Sequence, residues 1–269
     1  MNIWLNTRIL LGRFTVRTLG QTSDGIKLVT TKGLTSGIML DYIYQNKPHG
    51  RFIIGTWIDK IYLSHRAWED VRTRKNNLEA FLLDAITVQR SLNRKPVIVD
   101  VAAGSARYLL DVKSKPGMED IDVVCRDLDT DALNQGKFNA EKLGLTNMKF
   151  TAGDALKAES LAEIQPKANI TVSSGFYDWI NDDGLVRKSM ALLYDILPAG
   201  GCFVFTNQVR HVNQEFVEGV FVDLRGQPLR MTMRPADELN SWSEAAGFRI
   251  LKTTGDKDFN YSVTLAQKP

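Results

Sequence analysis

After Pro96, short apolar runs alternate with amphipathic segments of helix length, and this alternation constrains the chain more than any other feature. The runs cover residues 97–101, 121–125, 148–151, 170–173 and 202–206. Residues 108–112, 131–143, 155–164 and 184–197 read as helices between them. Runs that are apolar on both faces, spaced by helices, predict a parallel sheet covered on both sides. Two late runs, 248–253 and 261–265, predict a closing hairpin. The expected class is α/β, with a seven-stranded, mostly parallel sheet.

The front of the chain differs in texture. Apolar residues recur at spacings of three and four over 58–93, which predicts one helix ending before Pro96. Residues 20–37 are rich in Gly, Ser and Thr and read as loop with one short strand. Before them, Trp4, Leu5, Ile9, Leu10, Leu11, Phe14 and Val16 interleave with Arg8, Arg13 and Arg17. Such a basic amphipathic helix can lie on a membrane surface or on its own protein. The expected division is an extension over 1–94, mostly helical after 58, and a core over 95–269.

Composition excludes several classes. With 43% hydrophobic and 24% charged residues the chain is neither disordered nor fibrous. No apolar run approaches the ~20 residues that cross a bilayer, and no signal-peptide pattern opens the chain. Cys125 and Cys202 sit in apolar runs and read as buried residues, which suits a cytoplasmic home. The three histidines lack metal-ligand spacing, so no metal is expected. Residues 1–95 carry a balance of +8 and the remainder −5. A basic front end suits an anionic partner or a solvated surface. No helix-turn-helix or RNA-binding signature supports nucleic acid.

In an open parallel sheet, ligands bind beyond the C-terminal ends of the strands. The first strand delivers a turn with small residues at Ala102, Gly104 and Ala106, open to close approach by a ligand or simply to packing. The second delivers Asp127, placed to accept from ribose hydroxyls; Asp127 or Asp129 could equally cap the next helix. The third delivers Asp154 and Ala155, suited to an adenine edge or to a cap. The fourth delivers Ser173, Ser174, Phe176, Tyr177 and Trp179, aromatics suited to stacking on a planar or cationic group. The fifth is followed by Gln208, His211 and Asn213.

Taken in this order and spacing, these elements resemble the motif series of class I S-adenosylmethionine-dependent methyltransferases, a Rossmann-like fold with helices on both faces of the sheet. The first turn departs from the usual D/E-x-G-x-G-x-G, having Ala102 and Ala106 for the outer glycines; Ala is tolerated there if φ stays negative. A narrower resemblance rests on stretches such as Leu40-Asp41-Tyr42-Ile43-Tyr44, Ser174-Gly-Phe-Tyr177 and Ala245-Ala-Gly-Phe248. They look like a bacterial methyltransferase domain found alone or fused behind an α/β-hydrolase domain. No G-x-S-x-G elbow occurs here.

The resemblance implies S-adenosylmethionine as cofactor. Asp100, Ala102 and Gly104 would meet its methionine end. Asp127 and Leu128 would hold the ribose side, and Asp154 with Ala155 the adenine. Ser173 and Ser174 would border the sulfonium. Tyr62 and Arg72 would close over it, Arg72 pairing with its carboxylate or else being merely solvated. Trp68, Phe176, Trp179, Gln208, Asn213 and Arg234 are acceptor-site candidates. His211 is the candidate base and Tyr177 the group that orients the acceptor. The expected activity is methyl transfer to O or N of a small-molecule or lipid-like acceptor. The expected partners are that acceptor, a membrane surface touched by residues 1–17, or a second copy in a homodimer. The alternative is an inactive cofactor-binding or scaffold partner of a separate enzyme.

Overall fold

The first strand, β1 (Val97–Asp100), is buried along its whole length, as an unbroken apolar run requires. It runs parallel between β2 (Asp122–Asp127) and β4 (Ile170–Ser173). Beyond β2 lies β3 (Met148–Ala152), and beyond β4 lies β5 (Cys202–Gln208), both parallel to their neighbours. The expected hairpin closes the sheet: β7 (Tyr261–Gln267) pairs antiparallel with β5, and β6 (Arg249–Gly255) antiparallel with β7. The order is therefore β3-β2-β1-β4-β5-β7-β6. Strand order reverses beside β1, so the turns leaving β1, β2 and β4 are where a ligand crevice belongs.

The computed structural model describes residues 3–222, 226–227 and 229–269. Met1 and Asn2 of the expected membrane segment, and four residues of the expected core (223–225 and 228), lie outside the described residues. The chain forms two compact units. One holds the residues up to Arg72 together with His211–Met231; the other holds Thr73–Arg210 and Thr232–Pro269. The boundary falls inside a helix rather than at residue 94. That helix, α5 (Arg66–Ser91), belongs to the sheet unit beyond Arg72 because its later turns are tied to the sheet. There Gln89 Nε2 donates to Gly200 O at 2.8 Å, and Asp84 pairs with Lys252 of β6.

The sheet unit interleaves its strands with α6 (Arg107–Lys113), α7 (Thr130–Lys142), α8 (Ala158–Ala162), α9 (Asp183–Ile196) and α11 (Ala236–Ala245). One face of the sheet, with Val99, Val124, Phe203 and Phe205, packs on Val186, Met190 and Leu193 of α9 and on Leu239 and Trp242 of α11. The helix expected over 155–164 shrinks to α8, because Asp154 and Leu156 form a side-chain turn that delays its start.

In the first unit the single helix expected over 58–93 is two. The first, α4 (Phe52–Leu63), ends where the Ser64 hydroxyl donates to Lys60 O at 2.7 Å, and α5 begins two residues later. Both helices bury stripes of the same spacing, so periodicity alone does not reveal the break. The loop expected over 20–37 is mostly helical: a 3-10 turn, η1 (Leu19–Thr22), then α2 (Asp24–Lys32). Ser23 caps α2 by accepting from Ile26 N, and α2 is held by burial of Ile26 and Val29 rather than by propensity.

Asp59 of α4 is the polar anchor of this unit. Its carboxylate is wholly buried and accepts from Ser23 Oγ (2.6 Å), Gly25 N (2.8 Å), the Tyr42 hydroxyl (2.5 Å) and His49 N (2.9 Å). These bonds join α4 to α2 and to α3 (Gly37–Gln45); burial first, and then the hydrogen bond to Asp59, push the Tyr42 phenol well up. The first helix, α1 (Ile3–Arg17), packs on α10 (Gln214–Val220). Small residues set the approach: a Cβ on Gly219 would lie 2.5 Å from Ile9 Cδ1.

Candidate functional site

The turn leaving β1 and the end of β2 are joined atom to atom. Gly104 N donates to Asp127 Oδ2 at 2.7 Å, and Asp129 N donates to Asp127 Oδ1 at 2.8 Å. Asp129, not Asp127, caps α7, accepting from Ala132 N at 3.1 Å. A carboxylate has about four lone-pair positions, and two remain on Asp127, one on each oxygen. Asp127 is only half-buried, and beside it the Leu128 side chain is 71% exposed. An acid with spare acceptors next to an exposed aliphatic group suits a ribose flanked by a planar base.

Gly104 has φ of +53°, which a glycine adopts at no steric cost. Ala106 also lies in the left-handed region, with φ of +56°. The condition of negative φ, under which Ala is tolerated here, is therefore not met at Ala106. The turn keeps the backbone path of a glycine-rich loop and accepts strain to do so, because α6 must start at Arg107 with its first turn buried. Ala102 is half-buried in the same turn.

Asp100 is completely buried at the end of β1. Its Oδ2 takes the Tyr108 hydroxyl and its Oδ1 takes Ala102 N at 3.3 Å. Burial pushes its pKa up to about 7, while the Tyr108 and Ala102 hydrogen bonds pull it down. Tyr108 was not singled out from the sequence; its place in the first turn of the helix after the acid is the signal that could have found it.

At the end of β3, Asp154 Oδ1 accepts from Leu156 N at 2.9 Å, and Oδ2 pairs with Lys157 at 3.4 Å. The Ala155 side chain is part of the core. Arg126, also buried, braces the same turn by donating to Ala152 O and Ser160 Oγ.

The β4 turn separates into two groups. Ser173 is buried, whereas Ser174, Phe176 and Trp179 are half-buried. Tyr177 is fully buried in the apolar core with its hydroxyl 3.3 Å from Ser189 Oγ, and burial pushes that phenol up to about 12. It has no exposed atom to present to an acceptor. Arg234, 3% exposed, spends its donors on Tyr177 O (2.9 Å), Ile180 O (2.6 Å) and Asp183 Oδ1. It clamps this turn instead of facing a substrate. Asp178, another residue not assigned a role from sequence, accepts from Gln208 N at 2.7 Å and pairs with buried Arg74 at 3.5 Å. Beside it, Gln208 Nε2 is buried with no hydrogen-bond partner among the described residues, the kind of group that a bound polar ligand satisfies.

The first unit holds the other candidates. Tyr62 and Trp68 meet edge to face, with ring centres 5.6 Å apart. Arg72 Nη2 donates to Leu63 O at 3.1 Å, while buried Nη1 has no partner among the described residues. Burial lowers the pKa of this guanidinium, so an anion held there would be favoured. His211 Nδ1 accepts from Asn213 N at 3.1 Å, and the Asn213 amide lies 3.3 Å from His65 Nε2. Burial first, and His65 second, lower the His211 pKa, so the ring is neutral at pH 7. Because Nδ1 is accepting, the neutral ring carries its proton on Nε2 and offers a donor there. A base at Nε2 would need the other tautomer and the loss of the Asn213 bond. This argues against the expected base role.

Among the described residues no cluster has metal-ligand composition, and no helix is long and apolar enough to cross a membrane.

The chain is 32% identical over 239 residues to Escherichia coli (strain K12) YnbC, described as uncharacterized, covering 88% of this chain. It spans 40% of the length of that relative. A Bordetella parapertussis protein described as a possible exported protein superposes with a TM-score of 0.66 at 17% identity, over 98% of this chain and 95% of that one. Magnesium protoporphyrin IX methyltransferase from Synechocystis, solved with bound S-adenosylhomocysteine (SAH), gives 0.58 at 11% identity, over 90% of this chain and 100% of that one. The family described as "Putative methyltransferase" matches residues 5–268, so the chain belongs to that family, on the fold of the class I S-adenosylmethionine-dependent methyltransferases.

Proposed function

We propose that this chain transfers the methyl group of S-adenosylmethionine to an oxygen or nitrogen of a small-molecule or lipid-like acceptor. The observation that carries the reading is the Gly104–Asp127 hydrogen bond beside exposed Leu128, which leaves two acceptor positions for a ribose. The cofactor supplies an activated methyl on a sulfonium, so the protein's task is alignment and exclusion of water.

In this reading Asp127 holds the ribose, Leu128 covers the base, and Asp154 with the Ala155 backbone borders it. Asp100, Ala102, Gly104, Ser173 and Ser174 border the methionine end and the sulfonium. In the first unit, Arg72 has an unpaired Nη1 to offer to an anionic group. Gln208 gives its unpartnered amide to the bound ligands, and Phe176 and Trp179 shape the acceptor side. In the first unit His211 offers an Nε2–H donor in place of a base, and in the sheet unit Tyr177 and Arg234 support the β4 turn from behind. With no base at His211, the acceptor arrives with its lone pair available, as a neutral amine or an ionised hydroxyl. Two free, buried cysteines suit a reducing cytoplasm.

Isothermal titration with S-adenosylmethionine and SAH tests the reading. Saturable heat with both is expected, and none with either defeats it. Comparing metabolites with and without the gene, for species that differ by one CH₂, then identifies the acceptor.

A further inference from the structure

Helix α4 packs one side inward and leaves an apolar stripe on the other. Gly55, Asp59 and Leu63, four residues apart, face inward and are buried. Ile53, Trp57 and Ile61, also four apart, face outward and are 90%, 62% and 53% exposed. Phe52 and Ile54 extend this outer stripe. So large an exposed apolar stripe on one helix marks an interaction surface, so the outer face of α4 calls for a cover. In the same unit, α1 leaves Trp4, Leu11 and Phe14 about two-thirds exposed, although its opposite side packs on α10. Both helices pack against η1.

Charge selects the cover. Seven Lys and Arg side chains of residues 4–63 are exposed, against one exposed carboxylate, Asp24; Asp41 and Asp59 are buried. A second copy seated on the same face would set cations against cations, whereas an anionic bilayer sets them against lipid phosphates. The cations also sit beside the apolar groups: Arg51 Cζ is 5.1 Å from the Phe52 ring centre, and Arg8 Cζ is 4.7 Å from that of Trp4. Aromatic and aliphatic side chains rimmed by long cations match the boundary between headgroups and acyl chains. At 12 residues, α4 is about 18 Å long, too short to span a ~30 Å hydrocarbon core but suited to lying in its surface.

We propose that the N-terminal unit docks on an anionic lipid bilayer through the outer face of α4, with the exposed stripe of α1 as a second contact. The proposal goes beyond methyl transfer and stands apart from it: cofactor titration is blind to lipid docking, so either idea can fail alone.

The test is cosedimentation of the full chain with vesicles of phosphatidylglycerol and phosphatidylcholine, against phosphatidylcholine alone. Expected is pelleting with the anionic vesicles, weakened by salt, and a roughly tenfold or larger loss of partitioning in the Ile53→Glu, Trp57→Glu double variant. A Trp4→Glu, Leu11→Glu variant should lose less. Equal pelleting with neutral vesicles, no pelleting, or a folded α4 variant that binds as before overturns the proposal. So does wild-type self-association abolished by the α4 variant in the absence of vesicle binding, which would mark a second copy as the occupant. Because Glu substitutions could disturb folding, Trp57→Phe supplies a second readout. It should bind anionic vesicles normally yet show less tryptophan quenching by brominated lipid. Unchanged quenching places Trp57 outside the bilayer and ends the idea.

Discussion

The Gly104 backbone N–H donates to Asp127 Oδ2 at 2.7 Å, across 23 residues of sequence. One carboxylate thereby shapes the β1 turn and keeps acceptors to spare. Asp127→Ala should weaken S-adenosylmethionine binding about a hundredfold, the worth of two hydrogen bonds to a charged group. Asp127→Asn, with one carbonyl oxygen left, should lose about tenfold. Calorimetry reads both, and unchanged affinity in the Ala variant would remove Asp127 from the site.

Ala106 holds a left-handed backbone without being glycine. Ala106→Gly should therefore stabilise the fold by up to about 1 kcal/mol, and Ala106→Val should destabilise it by more than that. Urea denaturation measures the difference. A Gly variant less stable than wild type contradicts the strain.

Asp100 has a folded-state pKa of about 7, against about 3.9 in an unfolded chain. The folded state therefore holds a proton that the unfolded state releases between those values. Its stabilising contribution is complete below about pH 4 and is lost as pH rises through 7, amounting to about 4 kcal/mol at most. Urea midpoints at pH 5 and pH 8 should differ more in wild type than in Asp100→Asn. Equal pH dependence in the two would show that Asp100 titrates normally.

His211 accepts at Nδ1 from Asn213 N. Nitrogen-15 NMR of the imidazole should show the proton on Nε2 and a pKa below the ordinary 6.5. An Nδ1–H tautomer, or a raised pKa, would restore the base role and overturn the donor assignment.

Much of the sheet was legible because its signal is local. Unbroken apolar runs such as residues 97–101 and 202–206 reveal strands buried on both faces, and the late pair reveals the antiparallel close. The break between α4 and α5 was not legible, since Ser64 and His65 interrupt no apolar spacing. Nor was α2, whose Thr- and Gly-containing sequence is held helical by tertiary burial. At the site, Asp127 was legible as the acid ending the second strand. Whether it or Asp129 capped the helix was not, because both were within reach of α7.

By itself, then, the sequence determined the order of the strands' contents and which residues the strand ends carry, for periodicity and burial are written within a few neighbours. Only the tertiary structure decided what each of those residues faces. Arg234 and Tyr177 O are 57 residues apart in sequence and 2.9 Å apart in space, and that contact turns an acceptor-site candidate into a clamp. Such pairings depend on which elements pack together, and one chain's local pattern holds no record of that.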